Sequence, residues 1–340
     1  MTDDATAETV LLAHGSGGSL SHELVARRVL SCLSRQAPPE LDDSAVVSLQ
    51  GQIAFTTDSY IVDPLFFPGG DIGRLAVCGT VNDLSMVGAT PRHLSLALIL
   101  EEGFPLASLD VVMHSVRDAC QDAGVDIVTG DTKVVNRGNG DGLFINTAGV
   151  GVVPEGRRIS GRLARPGDRI LLSGTIAEHG LAIMAAREGL RFSSAIRSDC
   201  APLNGIVAAL LNAVGDAVHC MRDPTRGGLG TTLNEIASQS RVAMLIDEPA
   251  IPVSADVRAA CEMLGLDPMY VANEGKFVAL VEPSRAAQAL NVLRTHPLGI
   301  NAVDIGEVVQ GKAGRVMMRT ELGPTRLVVM LSGELLPRIC

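Results

Sequence analysis

Two α/β (α+β) domains and a flexible C-terminal tail are what the sequence predicts, on three observations. Its 340 residues, 46% of them hydrophobic, are more than a single core of ordinary size organises. Alternating, β-branched segments trade places with segments of helical periodicity along almost the whole chain. The stretch PEGRRISGRLARPGDRI at 154–170 is rich in Pro, Gly and Arg and weakly periodic, which marks a boundary. The expected organisation is 1–155, 156–330 and a tail at 331–340.

In order, QIAFTTDSYIV alternates and reads as a strand. DIGRLAVCGTVNDLSMVGA follows as a helix, with Ile72, Leu75, Ala76, Gly79, Asp83 and Met86 on one stripe and Gly88 and Pro91 ending it. HLSLALIL, GVDIVTG and GLFINTAGVGVV read as strands, and LASLDVVMHSVRDACQDAG as the helix between the first two. The second half restarts with the strand DRILLSG. Helices are expected near 178–189, 201–214 and 254–264, from TRGGLGTTLNEIASQS and from AAQALNVLRTH; strands at 218–221, VAMLI and KFVALVE; then two or three short strands. The last ten residues, LSGELLPRIC, carry Gly333, Pro337 and no sustained pattern, and read as a mobile tail.

Composition excludes several function classes. A net charge of -10, no Trp and only two Tyr argue against nucleic-acid binding. No apolar run is long enough to span a bilayer, and the polar start MTDDATAETV lacks the regions of a signal peptide, so a cytoplasmic protein is expected. The seven cysteines are scattered without a CxxC, which favours free thiols over zinc or a redox pair. Cys32, Cys78, Cys120 and Cys261 lie in apolar stretches and read as small core residues; Cys340 alone stands at an end.

Aspartates recur at the ends of apolar elements: Asp42 and Asp43 in LDDSAV, Asp58 in TTDSY, Asp83 in VNDLSM, and Asp131 in TGDTKV, two residues before Lys133. Asp83 is the most informative, because an unpaired carboxylate on an apolar stripe is costly. If these acids converge they form a hard oxygen cage suited to Mg²⁺, which binds polyphosphate. The glycine-rich HGSGG at 14–18 could bring N–H groups to phosphate oxygens. Plainer readings stand beside these: caps for Asp42 or Asp43, a tight turn at Asp131, a loop at 14–18. MRDPTRGGLG at 221–230 is either an anion site at a helix start or glycine required for close packing. Glu274 in VANEGKFVAL, taken alone, reads as a solvated turn residue.

Taken in order, HGSGG, DDSAV, TTDSYIVDPLFFPGGDIGRLAVCGTVNDLSMVGATP, TGDTKVV, DPTRGGL, NEGKF and the final PRIC resemble the HypE family of hydrogenase maturation factors across essentially the whole chain. The wider superfamily includes aminoimidazole ribonucleotide synthetase and selenophosphate synthetase. The resemblance implies the two-domain aminoimidazole ribonucleotide synthetase-like fold, a homodimer paired through its N-terminal sheets, and a cleft for ATP and Mg²⁺. It implies His14, Gly15, Gly17, Gly18, Asp43, Asp58, Asn82, Asp83, Asp131 and Lys133 at the nucleotide, with Asp42, Asp43, Asp58, Asp83 and Asp131 as metal ligands. It further implies that Cys340 carries a carbamoyl group loaded by HypF. ATP-driven dehydration turns the thiocarboxamide into a thiocyanate, and the nitrile passes to iron in a HypC–HypD complex. Glu274, coupled to Lys133, is the implied base. A selenophosphate synthetase-like kinase and a non-catalytic, ATP-regulated carrier are the alternatives; the first leaves Cys340 idle, and the intact aspartate set argues against the second.

Overall fold

The computed structural model describes residues 8–33, 44–190, 196–331 and 338–340. Asp42, Asp43, Gly333 and Pro337 lie outside the described residues. Short helices α1 (Ser19–Leu24) and α2 (Ser31–Leu33) flank a π-helical stretch near the N-terminus. Strand β1 (Gln52–Tyr60), a small hairpin of β2 (Phe66–Phe67) and β3 (Gly70–Asp71), α3 (Ile72–Met86), β4 (Thr90–Glu101), α4 (Leu106–Ala123), β5 (Asp126–Val135) and β6 (Leu143–Val153) follow. The long strands form one sheet in the order β1-β6-β4-β5.

The sheet has one covered and one bare face. Leu94, Leu96, Leu98 and Leu100 of β4 alternate inward, buried in the core they share with residues of α3 and α4. Ile53, Phe55 and Ile61 at β1 and Ile99 of β4 stand on the other face, with Phe55 70% exposed. Helix α3 starts at Asp71, whose carboxylate accepts from the N–H groups of Gly73 and Arg74. It is buried almost all round rather than on one stripe, because the second half covers the side the sheet leaves open.

The second half holds β7 (Arg169–Leu172), α5 (Glu178–Arg187), α6 (Asn204–Val214), β8 (Val218–Arg222), α7 (Gly228–Ser240), β9 (Ala243–Asp247), α8 (Ala255–Leu264), β10 (Val278–Val281), α9 (Pro283–Thr295), β11 (Val303–Val309), β12 (Arg315–Arg319) and β13 (Thr325–Val328). Its sheet runs β13-β12-β9-β11-β7-β10-β8. Ile170, Leu172, Val278 and Leu280 enter one core, whereas Leu171, Ala279 and Val281 enter another. Both faces are covered, so β10 reads as an unbroken apolar run. Among the described residues, no helix is long and apolar enough to cross a membrane.

Two expectations change. The strand expected as GVDIVTG continues through Val135, so Asp131 is a strand residue and not a turn. Parallel pairing with β4, Ala97 opposite Asp131 and Ile99 opposite Lys133, carries the strand past Gly130. The end of the tail is also docked, not free: Ile339 is 5% exposed inside the first core.

Candidate functional site

The docked tail brings Cys340 to the boundary between the two halves. Residues 338–340 lie antiparallel along the chain that continues β1. The N–H of Ile61 donates to the Cys340 main-chain oxygen at 3.3 Å, and that of Asp63 to the Arg338 oxygen at 3.2 Å. The Ile339 carbonyl points the other way and accepts from His179 Nε2 of α5 at 2.7 Å. Arg187 of α5 donates to the Arg338 oxygen at 2.6 Å, while the Arg338 guanidinium pairs with Asp141 at 2.9 Å. The Cys340 thiol is pushed up to about 12, chiefly by burial and then by Glu274, while Arg226 pulls it down through charge and a hydrogen bond.

Glu274 faces this thiol from a rigid turn. Asp199 accepts from the N–H groups of Glu274 and Gly275 and from Lys276 Nζ, at 3.0, 3.1 and 3.1 Å. A side chain on Gly275 would run into the Asp199 carbonyl oxygen, so only glycine fits this turn. Asn82 of α3 reaches across and donates to the Glu274 carbonyl at 3.2 Å. The Glu274 carboxyl is buried and Oε1 has no hydrogen-bond partner. Burial, then Asp223, Asp199 and Asp58, raises its proton affinity well above the usual carboxylate range.

Three more carboxylates surround that point. Asp58 of β1 lies two residues from Thr56 on the same strand, and the Thr56 hydroxyl donates to Asp83 Oδ2 of α3 at 2.8 Å. Asp83 is raised by burial, and Asp58 adds to the rise against Thr56 and Arg222, which oppose it. Asp223 rises to about 7, first by burial and next by Asp83. Arg226 stands 3.9 Å from Asp58. A cleft of about 430 Å³ beside them is lined by Asp83, Arg222, Asp223, Thr225 and Arg226. Among the described residues no three His, Cys, Asp or Glu side chains already stand in a metal-binding array. The donor chemistry nonetheless fits a hard cation: these are carboxylate oxygens that burial and mutual repulsion leave short of positive charge.

The other expected residues lie elsewhere in the chain. Asp131 and Lys133 form an exposed pair at 2.6 Å on β5. In register, Asp131 shares a face with Ala97, Asn146 and Ser59, whereas Asp58 shares the opposite face with Thr147 and Leu96. They stand three strands apart, about 14 Å, on opposite faces. Within one chain the aspartate motifs therefore do not all converge, and Lys133 does not reach Glu274. The HGSGG segment packs on the same far strand: a Cβ at Gly15 would lie 2.6 Å from the Val134 nitrogen. His14 Nδ1 accepts from the Leu11 N–H at 3.0 Å, Gly17 has φ +78° and donates to Ser21, and Gly18 caps α1.

Asn82 has a different place from the one expected. Its amide donates to the Ala201 and Glu274 carbonyls and its oxygen accepts from the Leu203 N–H, so the side chain is fully committed to backbone of the second half. Sequence reading passed over Asp223 and Arg226, although both lie in the quoted MRDPTRGGLG. It also passed over His179, a single histidine in a helix, which carries no pattern.

Comparison with known proteins bears on the fold and the family. Residues 41–153 match the N-terminal domain, and 165–319 the C-terminal domain, of AIR synthase related proteins. The carbamoyl dehydratase HypE of Azotobacter vinelandii is 53% identical over 98% of this chain and 97% of its own. A HypE crystallised with ATP superposes with a TM-score of 0.95 at 50% identity, covering 98% of this chain and 100% of that one. A HypE from a HypE–HypF complex gives 0.80 at 49% identity, over 82% and 90%. The chain belongs to the HypE family of hydrogenase-maturation carbamoyl dehydratases, built on the paired AIR synthase-related domains.

Proposed function

We propose that this chain dehydrates a carbamoyl group carried on its own Cys340, using ATP, and so supplies the cyanide ligand of a [NiFe] hydrogenase iron. The observation that carries this reading is the docking of Cys340 between Glu274 and Arg226, with Asp58 and Asp83 at hand. The carbamoyl oxygen attacks the γ-phosphorus of ATP as ADP leaves and one N–H proton is lost. The phosphorylated oxygen then departs as phosphate while the second N–H proton is removed and the C≡N bond forms. The net result is thiocarboxamide plus ATP giving thiocyanate, ADP and phosphate. Phosphorylation makes the amide oxygen a good leaving group.

Asp58 and Asp83 would hold Mg²⁺, with Asp42 and Asp43 from the segment before β1. The ion would neutralise phosphate charge and relieve the repulsion among the carboxylates. Glu274 is the base, and it must first ionise; added positive charge near Asp58 lowers its proton affinity. Arg226 is placed to donate to the cargo on Cys340.

A homodimer accounts for the residues that one chain keeps apart. The bare sheet face with Ile53, Phe55 and Ile99 suits an isologous contact, and Asp131 and Lys133 share that face. A second copy then brings Asp131, Lys133 and the HGSGG segment, residues 14–18, to a composite nucleotide site. The half spanning 1–155 carries nucleotide and pairing, the half spanning 156–330 carries Glu274 and Arg226, and 331–340 is the carrier. HypF loads the tail, as the HypE of the complex with HypF suggests, and a HypC–HypD complex takes the nitrile, all in the cytoplasm.

Intact-mass spectrometry tests the reaction: S-carbamoylated protein with ATP and Mg²⁺ should lose the mass of one water at Cys340. An unchanged mass refutes it. Mixing an Asp58→Asn copy with an Asp131→Asn copy should restore about a quarter of wild-type activity if sites are composite, since half the dimers gain one intact site of two. No restoration refutes the shared site.

A further inference from the structure

We propose that His179 is a positioning residue of the carrier tail, holding the Ile339 carbonyl so that the Cys340 sulfur stays seated against Glu274 and Arg226. The inference rests on the carrier reading above and deepens it. Arg338 has φ +54°, and the carbonyls of this segment leave toward two different sides. The edge that continues β1 takes those of Arg338 and Cys340, through the N–H groups of Asp63 and Ile61. The intervening carbonyl, on a residue only 5% exposed, has no strand to bond. His179 Nε2 meets it at 2.7 Å, and without that donor a buried carbonyl would be left unpaired.

The ring is built to donate at this atom. A carbonyl only accepts, so Nε2 carries the proton. His179 Nδ1 lies 2.7 Å from Ser198 Oγ, which in turn accepts from the Cys200 N–H at 3.1 Å. Ser198 therefore donates its hydroxyl proton to Nδ1 and pins the tautomer. The ring itself is fully buried and stands edge-on to Phe67, with centroids 5.6 Å apart. Apart from the Arg226 hydrogen bond to the Cys340 sulfur, the bonds of the tail here read main chain or the Arg338 side chain. These main-chain and Arg338 anchors do not depend on what the sulfur carries.

Pulse alkylation of the full-length protein with N-ethylmaleimide, followed by Glu-C digestion, reads Cys340 on its own peptide, 335–340. His179→Leu should raise the Cys340 labelling rate about tenfold, the scale of one buried hydrogen bond. His179→Gln, whose amide nitrogen reaches the place of Nε2, should label within about twofold of wild type. Ser198→Ala, which frees the tautomer, should label severalfold faster. Wild-type protection in His179→Leu, or a His179→Gln rate equal to that of His179→Leu, overturns the proposal. If His179→Leu also exposes Cys261, Ser198→Ala decides, and wild-type protection there overturns it. Labelling requires neither ATP nor a carbamoyl group, so failure here is separable from failure of the dehydration.

Discussion

Replacing Asp223 by Asn should flatten the rise of instability between acid and neutral pH. Asp223 stands beside Asp83 and Asp58, and its carboxyl is pushed up from 3.8 to about 7, first by burial. Above the unfolded value, the unfolded chain has released a proton that the folded protein still binds. Stability therefore falls as pH rises from 3.8 to about 7 and levels off beyond. At about 1.36 kcal/mol per unit over about three units, the full loss is about 4 kcal/mol. Partial exposure of the site screens this to about 2 kcal/mol. Asn, a close copy of the protonated acid, should thus stabilise the metal-free protein by about 2 kcal/mol near pH 8 and leave it unchanged near pH 4. Melting in EDTA across this range reads the difference as a rise of about 4–8 °C at the alkaline end. Parallel wild-type and variant profiles, or a variant less stable near pH 8, would refute the electrostatic account of the site.

Ile339→Ala should weaken tail docking by about 2 kcal/mol, a burial term for one aliphatic side chain. Cys340 alkylation would then quicken about thirtyfold with the melting midpoint unchanged; unaltered protection contradicts the docked tail. Glu274→Gln matches the protonated side chain in shape, so the fold should persist while dehydration slows about 10²–10⁴-fold. A variant that still loses water at full speed removes Glu274 from the mechanism. Lys276→Met takes the cation from Asp199, a side chain 2% exposed, and should cost about 3 kcal/mol. Equal denaturation midpoints for variant and wild type would show that the backbone N–H groups of Glu274 and Gly275 satisfy Asp199 alone.

Much of the fold was legible because it rests on local pattern. The period of two in QIAFTTDSY and the 3.6-residue stripe of α3 are written in consecutive residues, and both elements form where expected. Gly130 misled because a glycine followed by aspartate is a turn signal, and only pairing with β4 shows that the strand continues. The site was partly legible. Asp83 announced itself as a charge on an apolar face, and burial bears out that it is an expensive place for one. Asn82 shared the same motif, but its partners are backbone atoms at 201, 203 and 274 that adjacency does not reveal.

The sequence by itself determined that acids, glycines, a glutamate and a last thiol belong to one family pattern, because motif order and spacing survive without coordinates. Tertiary structure decided which of them meet. Side-chain alternation sends Asp58 inward and Asp131 outward, an outcome set by sheet register across three strands. It also decided that the tail rests in the protein, because Ile339 finds a core and three main-chain oxygens find donors on elements far away in the chain.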